Sequence, residues 1–184
     1  PVAPFVAMET PQSTKAAAAT LAEWRSPAIL KTARLGYDGK GQVRIAGLAA
    51  LDEAYRELGD VPCVLEQHVA FACEISVIVV RALDGKVACY DCPRNEHGAG
   101  ILRRSTVPSG LPPEVEKSAH TLAAQIATAL QYVGVLGVEL FYLGQDAPVQ
   151  LMVHEIAPRV HNSGHWTMDA CAVGQVENHI RAIH

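Results

Sequence analysis

Acidic side chains inside apolar strands are costly unless they are paired or bound to a cation, and two stand close together here. Glu139 interrupts Gly137-Val138-Glu139-Leu140-Phe141, and Glu155 ends Leu151-Met152-Val153-His154-Glu155. Residues 144–148 between them carry Gly and Pro and read as a turn, so the two runs form a hairpin. If Leu143 pairs with Val149, Glu139 lies opposite Val153 and Glu155 is its diagonal neighbour, roughly 7 Å away on the same face. Two carboxylates so placed can converge on magnesium carrying phosphate oxygens; the alternative is a pair of rim carboxylates salt-bridged to arginine. A one-residue slip of register would put them on opposite faces.

Two further constellations bear polar chemistry. The run Gly36, Tyr37, Asp38, Gly39, Lys40, Gly41, Gln42 puts three glycines and a lysine between two short strands. Glycine lets successive backbone N–H groups face phosphate oxygens without obstruction, and Lys40 adds charge. The spacing fits neither a P-loop nor a dinucleotide fingerprint, both of which open a helix; a flexible hairpin turn is the alternative. Lys31, at the end of the preceding strand, is within reach of such a loop. After Glu155, the residues Arg159, His161, Asn162, Ser163, Gly164 and His165 are too polar for a mere connector. Arg159 offers a fork for phosphate, and His161, Asn162 and Ser163 can bind a ring or sugar edge. A zinc reading of His161 with His165 lacks further ligands, and Cys89 and Cys92, three apart on a strand, face opposite sides.

The elements that must position these groups read as follows. Thr10-Pro11 opens a helix through residue 24, and residues 28–31 and 43–45 are strands flanking the Gly-rich run. A second helix spans 48–58; strands cover 63–65, 75–82 and 86–90, with an Asp-Gly turn at 84–85. Residues 91–109 lack periodicity and read as a loop. A long helix from 112 to about 132 precedes the acidic hairpin, with strands at 138–143 and 149–156, and a last helix spans 168–183. Hairpins with flanking helices predict an α+β fold in two lobes, residues 1–66 and 67–184.

Length and composition set outer bounds. With 184 residues, 49% of them hydrophobic, the chain can bury a core and is not disordered. The net charge of −4 argues against a nucleic-acid surface. No run approaches the roughly 20 apolar residues of a membrane span, and the five scattered cysteines suit reduced thiols, so a cytoplasmic compartment is expected with no membrane partner.

LKTARLGYDGKGQ (30–42), LEQHVAFACEIS (65–76), NEHGAGILRRS (95–105), GVLGVELF (134–141) and HEIAPRVHNSGHWT (154–167) together resemble one family. It is the 5-(carboxyamino)imidazole ribonucleotide synthases, ATP-grasp carbon-nitrogen ligases of purine biosynthesis. The resemblance implies the ATP-grasp fold, with ATP and Mg2+ as cofactors and with aminoimidazole ribonucleotide and bicarbonate as substrates. It implies ATP binding by Lys31, Gly36, Tyr37, Asp38, Gly39, Lys40, Gly41, Gln42, the hinge Glu66, Gln67, His68 and Val69, then Glu74, His97, His154 and Glu155. Glu139 and Glu155 match magnesium-holding positions. Tyr37, Asp38, Lys40, Arg159, His161, Asn162 and Ser163 match residues around the two substrates, with Asp38, Lys40 and Arg159 as the catalytic group. The family also implies a homodimer and flanking domains on both sides, so a central ATP-grasp core is expected. His154 stands where the family usually has Asn, and Leu35 replaces a glycine before the loop. Other readings are a related ATP-grasp ligase, such as one using formate and glycinamide ribonucleotide, or a Mg-ATP-binding module without turnover.

Overall fold

The structure, a computed structural model, describes residues 1–35, 40–98, 100–148 and 150–184. Ala3–Ala70 makes up most of one compact unit; Pro1–Val2, Phe71–Gly98 and Leu102–His184 make the other. In the first, β1 (Phe5–Met8), α1 (Thr14–Trp24), β2 (Ala28–Thr32), β3 (Gln42–Ile45), α2 (Leu51–Glu57) and β4 (Cys63–Gln67) follow in order. Its sheet runs β1-β4-β2-β3 with antiparallel neighbours. Strand alternation explains the layering: Ala28 and Leu30 of β2 and Cys63 and Leu65 of β4 are buried with Ala17, Leu21, Leu51, Ala54 and Tyr55 of the helices. Lys31 and Glu66 lie on the other face, where the Nζ–Oε2 distance is 2.5 Å.

The second unit carries β5 (Cys73–Arg81), β6 (Val87–Cys89), β7 (Arg94–Gly98), β8 (Ile101–Thr106), α3 (Pro113–Ala129), β9 (Gly134–Tyr142), β10 (Leu151–Ala157), α4 (Thr167–Ala170) and α5 (Gln175–Ile183). Its sheet runs β10-β9-β5-β7-β8, and β6 pairs with β5 beside that path. The long central strands β5 and β9 divide their side chains by parity. Val77 and Val79 with Leu136, Val138 and Leu140 face α3, whose Val115, Ala119, Ala123 and Ala127 recur every four residues along one stripe. Small alanines let the helix lie close to the sheet, and burying each large aliphatic group there contributes roughly 1.5–3 kcal/mol. On the other face, Ile78, Val80 and Val135 are buried with Ala182 of α5. Farther along the same face stand Ser76, Glu74, Glu139 and Phe141. One end of that surface is thus apolar and helix-covered, and the other is polar.

Several expectations are corrected. Residues 91–109 are not a loop but contain β7 and β8, whose polar sequences hide a pairing set by tertiary context: Glu74 faces Asn95 and Ile75 faces Arg94. The single last helix is two, α4 and α5, separated at residues 171–174. A Cβ on Gly174 would stand 3.0 Å from Met168 Cα, so the chain folds back there too tightly for a side chain. β1 was not anticipated, because its flanking prolines and alanines obscure any alternation. Among the described residues no helix is long and apolar enough to cross a membrane.

Candidate functional site

The acidic hairpin forms with a register different from the expected one. Leu151 pairs with Tyr142 and Val153 with Leu140, one residue off the anticipated alignment. Continued regularly, that register would set His154 opposite Glu139 and turn Glu155 to the apolar face. A β-bulge at His154 prevents this: the ladder shifts between Val153 and Glu155, and Glu155 comes to lie directly opposite Glu139. Two residues of β10 therefore oppose one of β9. Glu139, His154 and Glu155 each offer one ligand atom, and these lie within 4.8 Å of one another. The His154 ring stacks on Phe141 with centroids 4.3 Å apart, and Phe141 stacks in turn on Phe71 at 4.4 Å. Neighbouring these on the sheet, Glu74 is paired with His97, whose pKa is raised chiefly by that hydrogen bond.

The loop after β10 is anchored under the acids. Gly137, two residues before Glu139 on β9, leaves room for His161: a Cβ on it would sit 2.9 Å from His161 Cβ. His161 Nε2 reaches Glu139 Oε1 at 3.5 Å, and Nδ1 lies 2.9 Å from Ser163 Oγ. Buried Gln175 holds the His161 backbone from both sides, accepting from its N–H at 3.0 Å and donating to its carbonyl at 2.7 Å. Thr167 Oγ1 accepts from Gln175 N–H and donates to Gly164 O, so the polar run closes on the start of α5. Of the expected substrate residues, His161 and Ser163 are buried in this network, whereas Asn162 and Arg159 are exposed. Arg159 Nη1 donates to Val160 O.

In the other unit, Gln67 Nε2 donates to Ser26 Oγ and His68 N–H to Pro27 O, while Lys31 pairs with Glu66 as described. Val69 follows, partly buried; Lys40 and Gln42 are exposed beside partly buried Gly41. Gly36, Tyr37, Asp38 and Gly39 lie outside the described residues. Cys89 and Cys92 are free thiols pushed up by burial to about 11 and about 12; they do not face opposite sides of one strand, because β6 ends at Cys89 and both pack on the same core cluster. Phe71, Phe141, Ser76, Asn95 and Gln175 went without assigned roles in the sequence. The first four sit inside or beside its quoted motifs; the signal for Gln175 was only a polar residue at a helix start.

Burial and charge set the protonation of the centre. Burial first, then the Glu155 carboxylate, pushes Glu139 up to about 7. His161 moves the other way, down to about 4, by burial and then by Arg159, His97 and His165 nearby. Across the window between those values their contact is one between a neutral ring and a largely protonated acid, not a salt bridge.

The chain belongs to the ATP-grasp family: the ATP-grasp domain pattern matches residues 1–176, and the α+β architecture is the ATP-grasp fold. Within that family it is similar to the N5-carboxyaminoimidazole ribonucleotide synthase of Brucella melitensis, at 49% identity over 160 residues that cover 84% of this chain and 42% of that protein. The carboxyaminoimidazole ribonucleotide synthase of Aspergillus clavatus, solved with ATP, superimposes with a TM-score of 0.89 at 32% identity, covering 100% of this chain and 47% of that one. The Aspergillus clavatus enzyme solved with ADP and 5-aminoimidazole ribonucleotide gives a TM-score of 0.87 at 30% identity, covering 100% and 47%. The chain spans about half the length of the relatives it matches.

Two outcomes are expected. Gln175→Ala removes two buried hydrogen bonds to one peptide segment and should cost about 2–4 kcal/mol in urea unfolding; a loss near zero would contradict the clamp. Unfolded, the two side chains titrate near 4.5 and 6.5. Glu139, raised on folding, contributes stability that is full below pH 4.5 and fades as pH rises towards 7; His161, lowered on folding, contributes above pH 6.5 and fades as pH falls towards 4. The slopes oppose between those limits, so Glu139→Gln should gain stability with rising pH more steeply than the wild type.

Proposed function

We propose that this chain is the ATP- and magnesium-binding region of an enzyme that carboxylates 5-aminoimidazole ribonucleotide with bicarbonate. The observation that carries the reading is the convergence of Glu139, His154 and Glu155 beside the clamped loop 159–163. Support comes from the relatives that bear this activity in their names and from the ADP and 5-aminoimidazole ribonucleotide in one of the solved structures. In this reading residues 1–66 and 67–184 act as the two lobes. Lys31, Lys40 and the glycines of the loop hold phosphates; Glu66 to Val69 meet the adenine edge; Glu74, steadied by His97, accepts from the ribose hydroxyls.

The reaction asks for position and charge more than for a covalent nucleophile. A bicarbonate oxygen attacks the γ-phosphorus as the bond to the ADP oxygen breaks, giving carboxyphosphate. The exocyclic amine of the ribonucleotide then attacks the carboxyl carbon, phosphate leaves with the bonding electrons, and the nitrogen loses a proton. Arg159 and Lys40 supply positive charge to the anionic groups, while Tyr37, Asp38, His161, Asn162 and Ser163 orient the substrates. Carboxylates are suitable ligands for a hard divalent cation, and Glu139 and Glu155 would hold it. Bound there, it would neutralise charge on the transferring phosphoryl oxygens.

The full-length protein should release ADP only when both bicarbonate and 5-aminoimidazole ribonucleotide are present. ADP release driven instead by formate and glycinamide ribonucleotide would assign a different ligase, and Mg-ATP binding without any release would leave a binding module. His154 adds a nitrogen donor where carboxylates alone favour magnesium, and imidazole suits later first-row metals better. In direct calorimetric titration, His154→Asn should therefore weaken manganese or cobalt binding more than magnesium binding; equal losses would remove His154 from the ligand set.

A further inference from the structure

Behind Glu139 runs a chain of polar contacts that extends well past the site. Ser105 Oγ donates to Asn95 Oδ1 at 2.8 Å, Asn95 Nδ2 donates to Ser76 Oγ at 3.0 Å, and Ser76 Oγ donates to Ser163 Oγ at 2.7 Å. Ser163 Oγ meets His161 Nδ1 at 2.9 Å, and His161 Nε2 faces Glu139. Ser76 and Ser163 are 0% exposed and Asn95 is 5% exposed, so water cannot replace these partners freely.

The direction of this chain follows from its donors. The backbone N–H of Ser163 lies 3.4 Å from His161 Nδ1, a long contact that favours a lone pair there but is too weak to fix the tautomer by itself. The Asn95 amide donates to Ser76 and Ser76 donates to Ser163, so the Ser163 hydroxyl proton is left for Nδ1. Having spent its one proton, that oxygen accepts from Ser76, and Ser76 accepts from the Asn95 amide. Ser105 occupies the amide oxygen and so turns the NH2 group towards Ser76. Every hydroxyl donates once and in the same sense, which leaves the neutral ring proton of His161 on Nε2, the nitrogen 3.5 Å from Glu139 Oε1.

We propose that Ser76 and Asn95 are positioning residues: through Ser163 they hold His161 as the Nε2–H tautomer, which presents a donor to Glu139. That this serves metal-ATP chemistry rests on the function proposed above; the tautomer itself does not. Free acceptor capacity on the ring would compete with the acid for a cation, whereas an N–H fixes one carboxylate oxygen and leaves the other available.

The test is nitrogen-proton NMR of the 15N-labelled chain without nucleotide or metal, with His161 assigned by the signal missing in His161→Gln. The wild type should show a neutral ring protonated on Nε2; protonation on Nδ1 would overturn the proposal. Asn95→Asp keeps the shape and replaces the donor by an acceptor, so each hydroxyl should reverse and the proton should appear on Nδ1. An unchanged Nε2–H ring in a folded Asn95→Asp protein would refute the role of Asn95. Should that variant not fold, Ser76→Ala removes a single oxygen: mixed tautomer signals are expected, with recovery of one form in Ser76→Thr, and a single unaltered Nε2–H form in Ser76→Ala would refute the relay. Because no turnover is measured, failure here leaves the proposed reaction standing, and failure of the ADP assay leaves the tautomer result standing.

Discussion

Two carboxylates placed directly opposite each other on adjacent strands repel, and the sheet tolerates them because it changes the charge of Glu139. Glu139 holds its proton to about pH 7 through burial and the neighbouring Glu155. The rest of the second unit is arranged around that constraint. α3 and the apolar parity of β5 and β9 fix the sheet from one side. On the other, Gly137 admits His161 and Gln175 ties the loop to α5. A cation held by both acids, as proposed, would replace that proton with a stronger positive charge.

The motif HEIAPRVHNSGHWT acquires a division of labour once the contacts are known. His154 and Glu155 face the centre; His161 and Ser163 support it from beneath. Gly164 is small because Gln175 occupies the space, with its Oε1 2.5 Å from where a Cβ would stand. Thr167 carries hydrogen bonds that join α4 to α5, and Trp166 packs edge-on against Tyr90 at 6.4 Å. Half of the motif is thus scaffold. A dense run of polar residues in sequence signals function correctly, but does not say which of its members meet solvent.

Much of the fold was legible because period and punctuation are local. The Ala-rich helix, the stripe of α3, the Asp-Gly turn and both strands of the acidic hairpin follow from spacing alone. What was not legible depends on partners distant in sequence. β7 and β8 read as a loop because Arg94, Glu96 and His97 give no apolar alternation; the pairing of Asn95 with Glu74 makes β7 a strand. The hairpin register was misjudged by one residue on the turn side, where the sequence does not fix the pairing, and by one more beyond the bulge, which the sequence does not reveal. Ser76, the one hydroxyl in the apolar run of β5, looked like an ordinary strand residue until Ser163, 87 residues away, was found against it.

The bulge at His154 has a consequence for how such a centre changes over time. A regular ladder gives each residue of β9 one opposing side chain, so Glu139 would meet His154 alone and Glu155 would turn to the apolar face. One additional residue in β10 lets a third donor share the face. The number of donors is therefore written in the length of a strand and not only in its residue types. Substitution can retune or silence a position in that set, but adding a position to this face calls for an insertion.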